Sequence, residues 1–415
     1  MSEIRLDAYH EQYSERSRGM SASEIRALFA VANRPEVVSL AGGMPFLTAL
    51  DMDEMGRLAY DVVRDQGETA LQYGGGQGYE PLREQLVEVM AAEGISAHRD
   101  ELVVTTGGQQ GLDLVAKLFC DPGDVILAEG PSYVGALSAF SAYEADVVHV
   151  PMDGEGLVPD LLAERLGRIR AEGRRVKFLY TVPNHQNPAG VSLSEQRRRQ
   201  LADFAEREDL LIVEDNPYGL LDFKGEYRTA LRTLIPERVV YIGTLSKILA
   251  PGLRVGWIAA PGPIREKIVL LKEAADLCQS NFTQLFATRW LQTQPWMDLV
   301  DRFRDGHRAR ADAMLSELAV ECPDGCTWNV PAGGFFVWLQ LPEGMDAREL
   351  LPKALNNRVA YVPGGAFYAD GSGTRSMRLS YCFPTPERIR EGVRRLGAVI
   401  RTEAELIEAM YGGQQ

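Results

Sequence analysis

Val239-Val240-Tyr241-Ile242-Gly243-Thr244-Leu245-Ser246-Lys247 begins as an unbroken apolar run and ends in hydroxyls and a lysine. The apolar part, 239–242, predicts a strand buried on both faces, because no polar residue alternates with the apolar ones. Runs of the same kind lie at 102–105, 125–128, 146–150, 176–181, 210–214 and 255–259. Helical patterns separate several of them, at 109–119, 133–142 and 194–208. Apolar strands alternating with helices predict an α/β fold with a mostly parallel sheet covered on both sides. In such sheets ligands collect at the carboxyl ends of the strands. Lys247 lies just past one of those ends.

The alternation stops at about residue 265. Long helical patterns follow at 265–279 and roughly 282–314, then a strand-like 335–341 and a helix from Ala347. A strand at 378–382 and a last helix from Pro386 to about Met410 complete this α+β region, which reads as a second, smaller domain. At the other end, 21–32 predicts a helix with Ile25, Leu28, Phe29 and Val31 on one face and Ser23 as its N-cap. A strand-like piece at 37–40 runs into the loop Ala41-Gly42-Gly43-Met44-Pro45. A helix at 51–64, a glycine-dense loop at 73–78 and a helix from Glu80 to about Glu93 lead into the sheet.

The 415 residues suggest two or three domains and a core large enough to need no disulfide or metal staple. Forty-four Lys and Arg against 58 Asp and Glu leave a formal net charge of −14. That balance argues against nucleic acid held through phosphate contacts and against a membrane surface held by a basic face. No apolar run reaches the ~20 residues needed to span a bilayer, and residues 1–18 do not read as a signal peptide. Five scattered cysteines read as reduced thiols of a cytoplasmic protein. Cys322 and Cys326 are the one close pair, and without a nearby His or second pair no metal is expected there.

Four motifs carry chemistry. Lys247 follows Thr244 and Ser246 and precedes Pro251-Gly252-Leu253-Arg254. A strand-end lysine with a lowered pKa can form a Schiff base, and Arg254 with the hydroxyls can bind a phosphate. Val213-Glu214-Asp215-Asn216-Pro217-Tyr218 puts an acid at another strand end, where it could ligate a metal, cap a helix or pair with a cationic ring nitrogen. Pro183-Asn184-His185-Gln186-Asn187-Pro188-Ala189-Gly190 is a turn, and Asn187 could donate to a ring oxygen of a cofactor. His185 has no orienting partner in view and reads as a bystander. Thr105-Thr106-Gly107-Gly108-Gln109 joins a strand to a helix whose N-terminal N–H groups suit a phosphate. Tyr133 could stack on a ring or belong to the core.

Taken in this order, the motifs resemble the class I aminotransferases of pyridoxal-phosphate fold type I, over nearly the whole chain from Ser23. Asp215 precedes Lys247 by 32 residues, a spacing compatible with that family, and Arg378 in Met377-Arg378-Leu379-Ser380 matches its substrate-carboxylate arginine. Ser23-Glu24-Ile25-Arg26, Leu40-Ala41-Gly42-Gly43-Met44-Pro45 and Gln72-Tyr73-Gly74 resemble in particular the group containing 2-aminoadipate aminotransferases.

The resemblance implies a role for each residue. Lys247 would hold the cofactor as a Schiff base and then shuttle the substrate proton. Asp215 would keep the ring nitrogen protonated, so that the ring acts as an electron sink. Asn187 and Tyr218 would donate to the ring oxygen, and Tyr133 would stack on the ring face. Gly107, Gly108, Gln109, Ser246, Arg254 and, more weakly, Thr244 would hold the phosphate. Tyr73 would reach the site of the neighbouring subunit in a homodimer. Arg378 and Asn187 would bind the substrate carboxylate, Gly43 would line the pocket, and Arg26 on a mobile N-terminal helix is a candidate for the substrate side chain. Residues 51–290 would form the large domain, 291–415 the small one, and 1–50 would join the small one.

The expected activity is amino transfer between an L-amino acid and a 2-oxo acid of aminoadipate, aromatic or branched-chain type, with glutamate and 2-oxoglutarate as a partner pair. Two alternatives stay open. One is another pyridoxal-phosphate enzyme on the same scaffold, such as an oxidase, a cyclising synthase or a β-lyase. The other is an effector-sensing regulator domain, disfavoured by the acidic charge and by the lack of a DNA-binding module ahead of Ser23.

Overall fold

The computed structural model of the chain describes residues 7, 9–18, 20 and 34–411. The predicted helix at 21–32, with Ser23 and Arg26, lies outside the described residues.

The apolar runs assemble into one eight-stranded sheet. In order across it lie Leu102–Thr106, Val255–Ala259, Val239–Thr244, Ile212–Asp215, Val176–Thr181, Val125–Gly130, Asp146–Asp153 and Gly156–Leu157. Four of the pairings are parallel. Val255–Ala259 is reversed and runs antiparallel to both of its neighbours. The central strands are buried along their length except for Thr244 at the rim, as their apolar sequences require once helices cover both faces. Gly107–Phe119, Val134–Ser141 and Glu195–Arg207 are the helices predicted between them.

The reversed strand has a direct effect on the site. Thr106 pairs with Val255, and Thr244 pairs with Gly256. The first two residues of the reversed strand therefore meet the last residues of its two neighbours. Arg254, just before it, stands on the same rim as Gly107 and Lys247. The strand containing Asp215 begins two residues later than predicted and ends one later, so Asp215 is its last residue.

One prediction fails at Pro295. The helix expected over 282–314 is two helices, Asn281–Thr293 and Trp296–Glu321. Proline lacks an N–H and pushes the residue before it out of the helical region, and Gln294 has ψ 145°. The helix expected to reach Gln279 ends at Asp276, where Leu277 turns to φ 62°. The strand expected at 378–382 is Ser376–Ser380, which puts Arg378 in its middle.

That strand lies in a second, four-stranded sheet with Thr327–Trp328, Phe336–Gln340 and Val362–Pro363. Val38–Ser39 pairs with Val359–Ala360 beside it. Val38 and Leu40 share a hydrophobic core with Leu350, Val359 and Leu396, so early and late parts of the chain pack together. The helix Trp296–Glu321 belongs to both cores. Val300 and Phe303 pack with the large sheet, while Met314 and Leu318 pack with the second core.

Candidate active site

Where the two cores meet, a cavity of about 330 Å³ opens over the carboxyl ends of the large sheet. Its walls bring together Lys247, Asp215, Tyr218, Asn187, Tyr133, Gly108, Gln109, Thr244, Ser246 and Arg254 from strand ends of the large sheet and the segments that follow or precede them. Arg378 comes from the second sheet, and Gly43 from the early loop. Three candidates are not on the wall, and Gly107 lies just behind it, beside Gly108. Tyr73 is 76% exposed and is not on the cavity wall. Arg26 lies outside the described residues.

Lys247 Nζ donates to the Gly43 carbonyl at 3.1 Å and stands 5.4 Å from the Phe335 ring centre. Burial pulls its pKa below the usual lysine value. Arg378 and Arg254 push the same way, while Cys382 and Asp215 oppose. Asp215 Oδ2 accepts from the Tyr180 hydroxyl at 2.8 Å. Burial raises this carboxyl to about 7, against the pull of that hydrogen bond and of Lys247. No Lys or Arg lies within ion-pair distance of it among the described residues. It is a strong site for a cationic group on a ligand.

Gly107 opens the helix Gly107–Phe119 with φ +74°, and a Cβ there would lie 2.4 Å from Arg254 Nη2. A Cβ on Gly256 would lie 2.8 Å from the Gly108 nitrogen. Both positions therefore need glycine, and the strand, the helix start and the Arg254 guanidinium close up around free N–H groups. Such a cradle binds phosphate. Ser246 stands beside it. The Thr244 hydroxyl lies 2.9 Å from Ser246 Oγ and 3.1 Å from the Val255 carbonyl, so it is committed to shaping the loop.

Arg378 is 4% exposed. Nη1 donates to Asn187 Oδ1 at 2.8 Å and Nη2 to the Ala41 carbonyl at 2.7 Å. Its guanidinium lies 4.3 Å from the Phe336 ring centre and 5.0 Å from that of Phe367. Nε has no partner, and no carboxylate pairs with the group among the described residues. Burial lowers its pKa to about 10. A buried cation without an anion is costly, so this site is built for a carboxylate brought by a ligand. Tyr218 packs edge-on against Phe335 and Phe336, and its hydroxyl makes no hydrogen bond among the described residues.

Several wall and support residues were not foreseen: Met44, Val134, Phe336, Tyr180 and Phe367. Each matters through a contact with a distant part of the chain. His185 is buried away from the cavity, with Nε2 3.7 Å from Asp222 Oδ2. Among the described residues no group of three or more His, Cys, Asp or Glu could hold a metal ion, and no helix is long and apolar enough to cross a membrane.

The comparisons with known proteins agree with this geometry. The profile of the aminotransferase class I and II family matches residues 42–396. Aromatic-amino-acid aminotransferase 1 of Thermococcus litoralis is 42% identical over 95% of both chains. The 2-aminoadipate transaminase of Thermus thermophilus is 37% identical over 95% of this chain and 98% of its own. The crystal structure of a Pyrococcus horikoshii kynurenine aminotransferase superposes with a TM-score of 0.91 at 37% identity, over 96% of this chain and 98% of that one. The chain belongs to the class I and II aminotransferases and is a pyridoxal-phosphate-dependent transaminase of fold type I.

Proposed function

We propose that the cavity holds pyridoxal phosphate between Asp215 and Lys247 and transfers amino groups between L-amino acids and 2-oxo acids. The substrates are of aromatic, aminoadipate or branched-chain type, with glutamate and 2-oxoglutarate as a partner pair. One observation carries the reading: Arg378 is a buried cation without an anion, facing the same cavity as Lys247. The relatives' aromatic-amino-acid and 2-aminoadipate activities support the substrate range.

When bound, pyridoxal phosphate supplies an aldehyde for the substrate amine and a ring that accepts electrons. Gly107, Gly108 and Gln109 give backbone N–H groups to the phosphate, and Ser246 and Arg254 close over it. Asp215 holds a proton on the ring nitrogen. Its own carboxyl, costly as a lone buried anion, is relieved by that cation. Tyr133 covers one ring face, and Tyr218 and the Asn187 amide donate to the ring oxygen. Arg378 takes the substrate carboxylate in a two-pronged bond. Lys247 Nζ, whose ammonium is disfavoured by burial, takes the substrate's Cα proton and delivers it again.

The protein would act as a cytoplasmic homodimer in which Tyr73, exposed in one chain, completes the partner's site. The domain division is placed at about residue 290, with residues 1–50 assigned to the smaller domain; the packing of Val38 and Leu40 with Leu350 and Leu396 supports that assignment, although Val300 and Phe303 still pack with the large sheet. An amino-acid panel in half-reaction format tests the function. Substrates should bleach the cofactor's visible absorbance, and 2-oxoglutarate should restore it. Release of ammonia or peroxide without any acceptor would overturn the reading.

A further inference from the structure

Glu129 is the penultimate residue of the strand Val125–Gly130 and is 2% exposed. It is absent from the cavity wall. A carboxylate there is expensive to bury, so its contacts need a reason. All three of its hydrogen-bond partners are donors from the neighbouring strand and the turn beyond. Thr181 Oγ1 donates to Oε1 at 2.5 Å. The Val182 N–H and Gln186 Nε2 donate to Oε2 at 3.0 and 3.1 Å.

Gln186 passes this anchoring on. Its Nε2 also donates to the Pro131 carbonyl at 2.7 Å, and its Oε1 accepts from the Ala189 N–H at 2.8 Å. Its backbone bonds Val191 and Gly190 across the turn. Asn187 is the next residue, held between a fixed Gln186 and a fixed Ala189. Its Oδ1 is the one side-chain acceptor of Arg378 among the described residues. A single carboxylate thus sets both backbone and side chain of the turn that aims Asn187.

We propose that Glu129 is a positioning residue for substrate binding, which fixes Asn187 against Arg378 through Thr181, Val182 and Gln186. The inference rests on the reading of Asn187 and Arg378 as the carboxylate site. Removing the carboxylate leaves three buried donors without an acceptor. The turn then relaxes, Asn187 leaves Arg378, and the substrate carboxylate meets a misaligned guanidinium. Lys247 bonds Gly43 and none of these residues, and Tyr218 still donates to the ring oxygen, so the amine and proton steps suffer less than carboxylate binding. KM should therefore suffer before kcat.

The test is a double-mutant cycle on the holoenzyme. Glu129→Ala should raise the amino-acid KM at least about tenfold while kcat changes less than about threefold. Glu129→Gln keeps an acceptor for Val182 and Gln186 and should return KM to within about threefold of the native value. Combined with Asn187→Ala, Glu129→Ala should add less than about twofold in KM to the Asn187→Ala value. If Glu129→Ala does not fold, as read by a thermal melt, Glu129→Asp takes its place. It keeps the charge but falls a methylene short, and it should raise KM in the same way. A lowered melting temperature with native KM would overturn the proposal, as would additive effects on KM. A native KM in Asn187→Ala alone would instead overturn the underlying reading of the carboxylate site.

Discussion

Arg378 Nη1 donates to Asn187 Oδ1 at 2.8 Å, joining the second sheet to the large one across 191 residues of sequence. Arg378 lies on a strand of the second sheet and Asn187 in the turn that follows Val176–Thr181 of the large one, so the carboxylate site exists only when both cores are docked. The faces of Phe336 and Phe367 flank the guanidinium and restrict how it can turn.

That restriction makes the fork of Arg378 hard to replace. Arg378→Lys supplies a single ammonium, which cannot reach Asn187, Ala41 and a ligand in one plane. We expect kcat/KM for amino-acid substrates to fall roughly 10- to 100-fold, with uptake of pyridoxal phosphate unchanged. Steady-state kinetics and cofactor titration check this. Native kcat/KM would remove Arg378 from carboxylate recognition.

Lys247→Ala removes the amine at the cavity floor. Turnover should be lost along with the visible absorbance of the bound cofactor. The phosphate cradle around Gly107 and Arg254 is untouched, so equilibrium dialysis should still detect bound cofactor. Measurable amino transfer by the variant would refute the assignment.

Asp215 gives a pH signature to cofactor binding. In the free protein its pKa stands at about 7, above an ordinary 3.8. Between those values the folded chain holds a proton that the unfolded chain has lost. The apoprotein therefore loses stability as pH rises through that window, and the penalty is complete above about 7. A cationic ring nitrogen relieves it. The gain in melting temperature on adding pyridoxal phosphate should grow from about pH 4 to about pH 7. Asp215→Asn should flatten that growth and lose most of the rate. Melts with and without cofactor across pH decide the matter.

His149 works in the opposite sense. Nδ1 donates to the Glu129 carbonyl at 2.8 Å, and Nε2 accepts from the Ala369 N–H at 2.8 Å. Both nitrogens are used, so the native ring is neutral. Burial lowers its pKa below an ordinary 6.5, against the nearby Asp370. The unfolded chain takes the proton first, and stability should drop as pH falls below about 6.5. His149→Gln should make the denaturant midpoint less sensitive to pH between about 7 and about 5. An unchanged slope would count against a neutral native ring.

Lys247, Asp215 and Asn187 were legible because each follows an apolar run, and a strand end is a local property of sequence. Gly107 was legible for the same reason, at a strand-to-helix junction. In sequence Tyr180 is no more than one position of an apolar strand, although its hydroxyl supports Asp215. Nothing beside Phe336 or Phe367 says that an arginine will lie between them. These contacts depend on how strands far apart in sequence come to neighbour one another. Pro295 was visible, yet the apolar period carried the predicted helix through it. The periodicity reports burial, whereas the proline reports a missing donor, and the local backbone term won.

The helix Trp296–Glu321 gives this enzyme a mechanical property. Its first turns are embedded in one core and its last turns in the other. At its midpoint Gly306 leaves room for Phe46, where a Cβ would come within 2.7 Å of the ring. The two bodies are thus joined by a stiff axle, not by a slack tether. Movement of one against the other has to flex or roll that axle. A change in the spacing between Asn187 and Arg378, and with it in the grip on a carboxylate, would then load a rod that lines neither side chain.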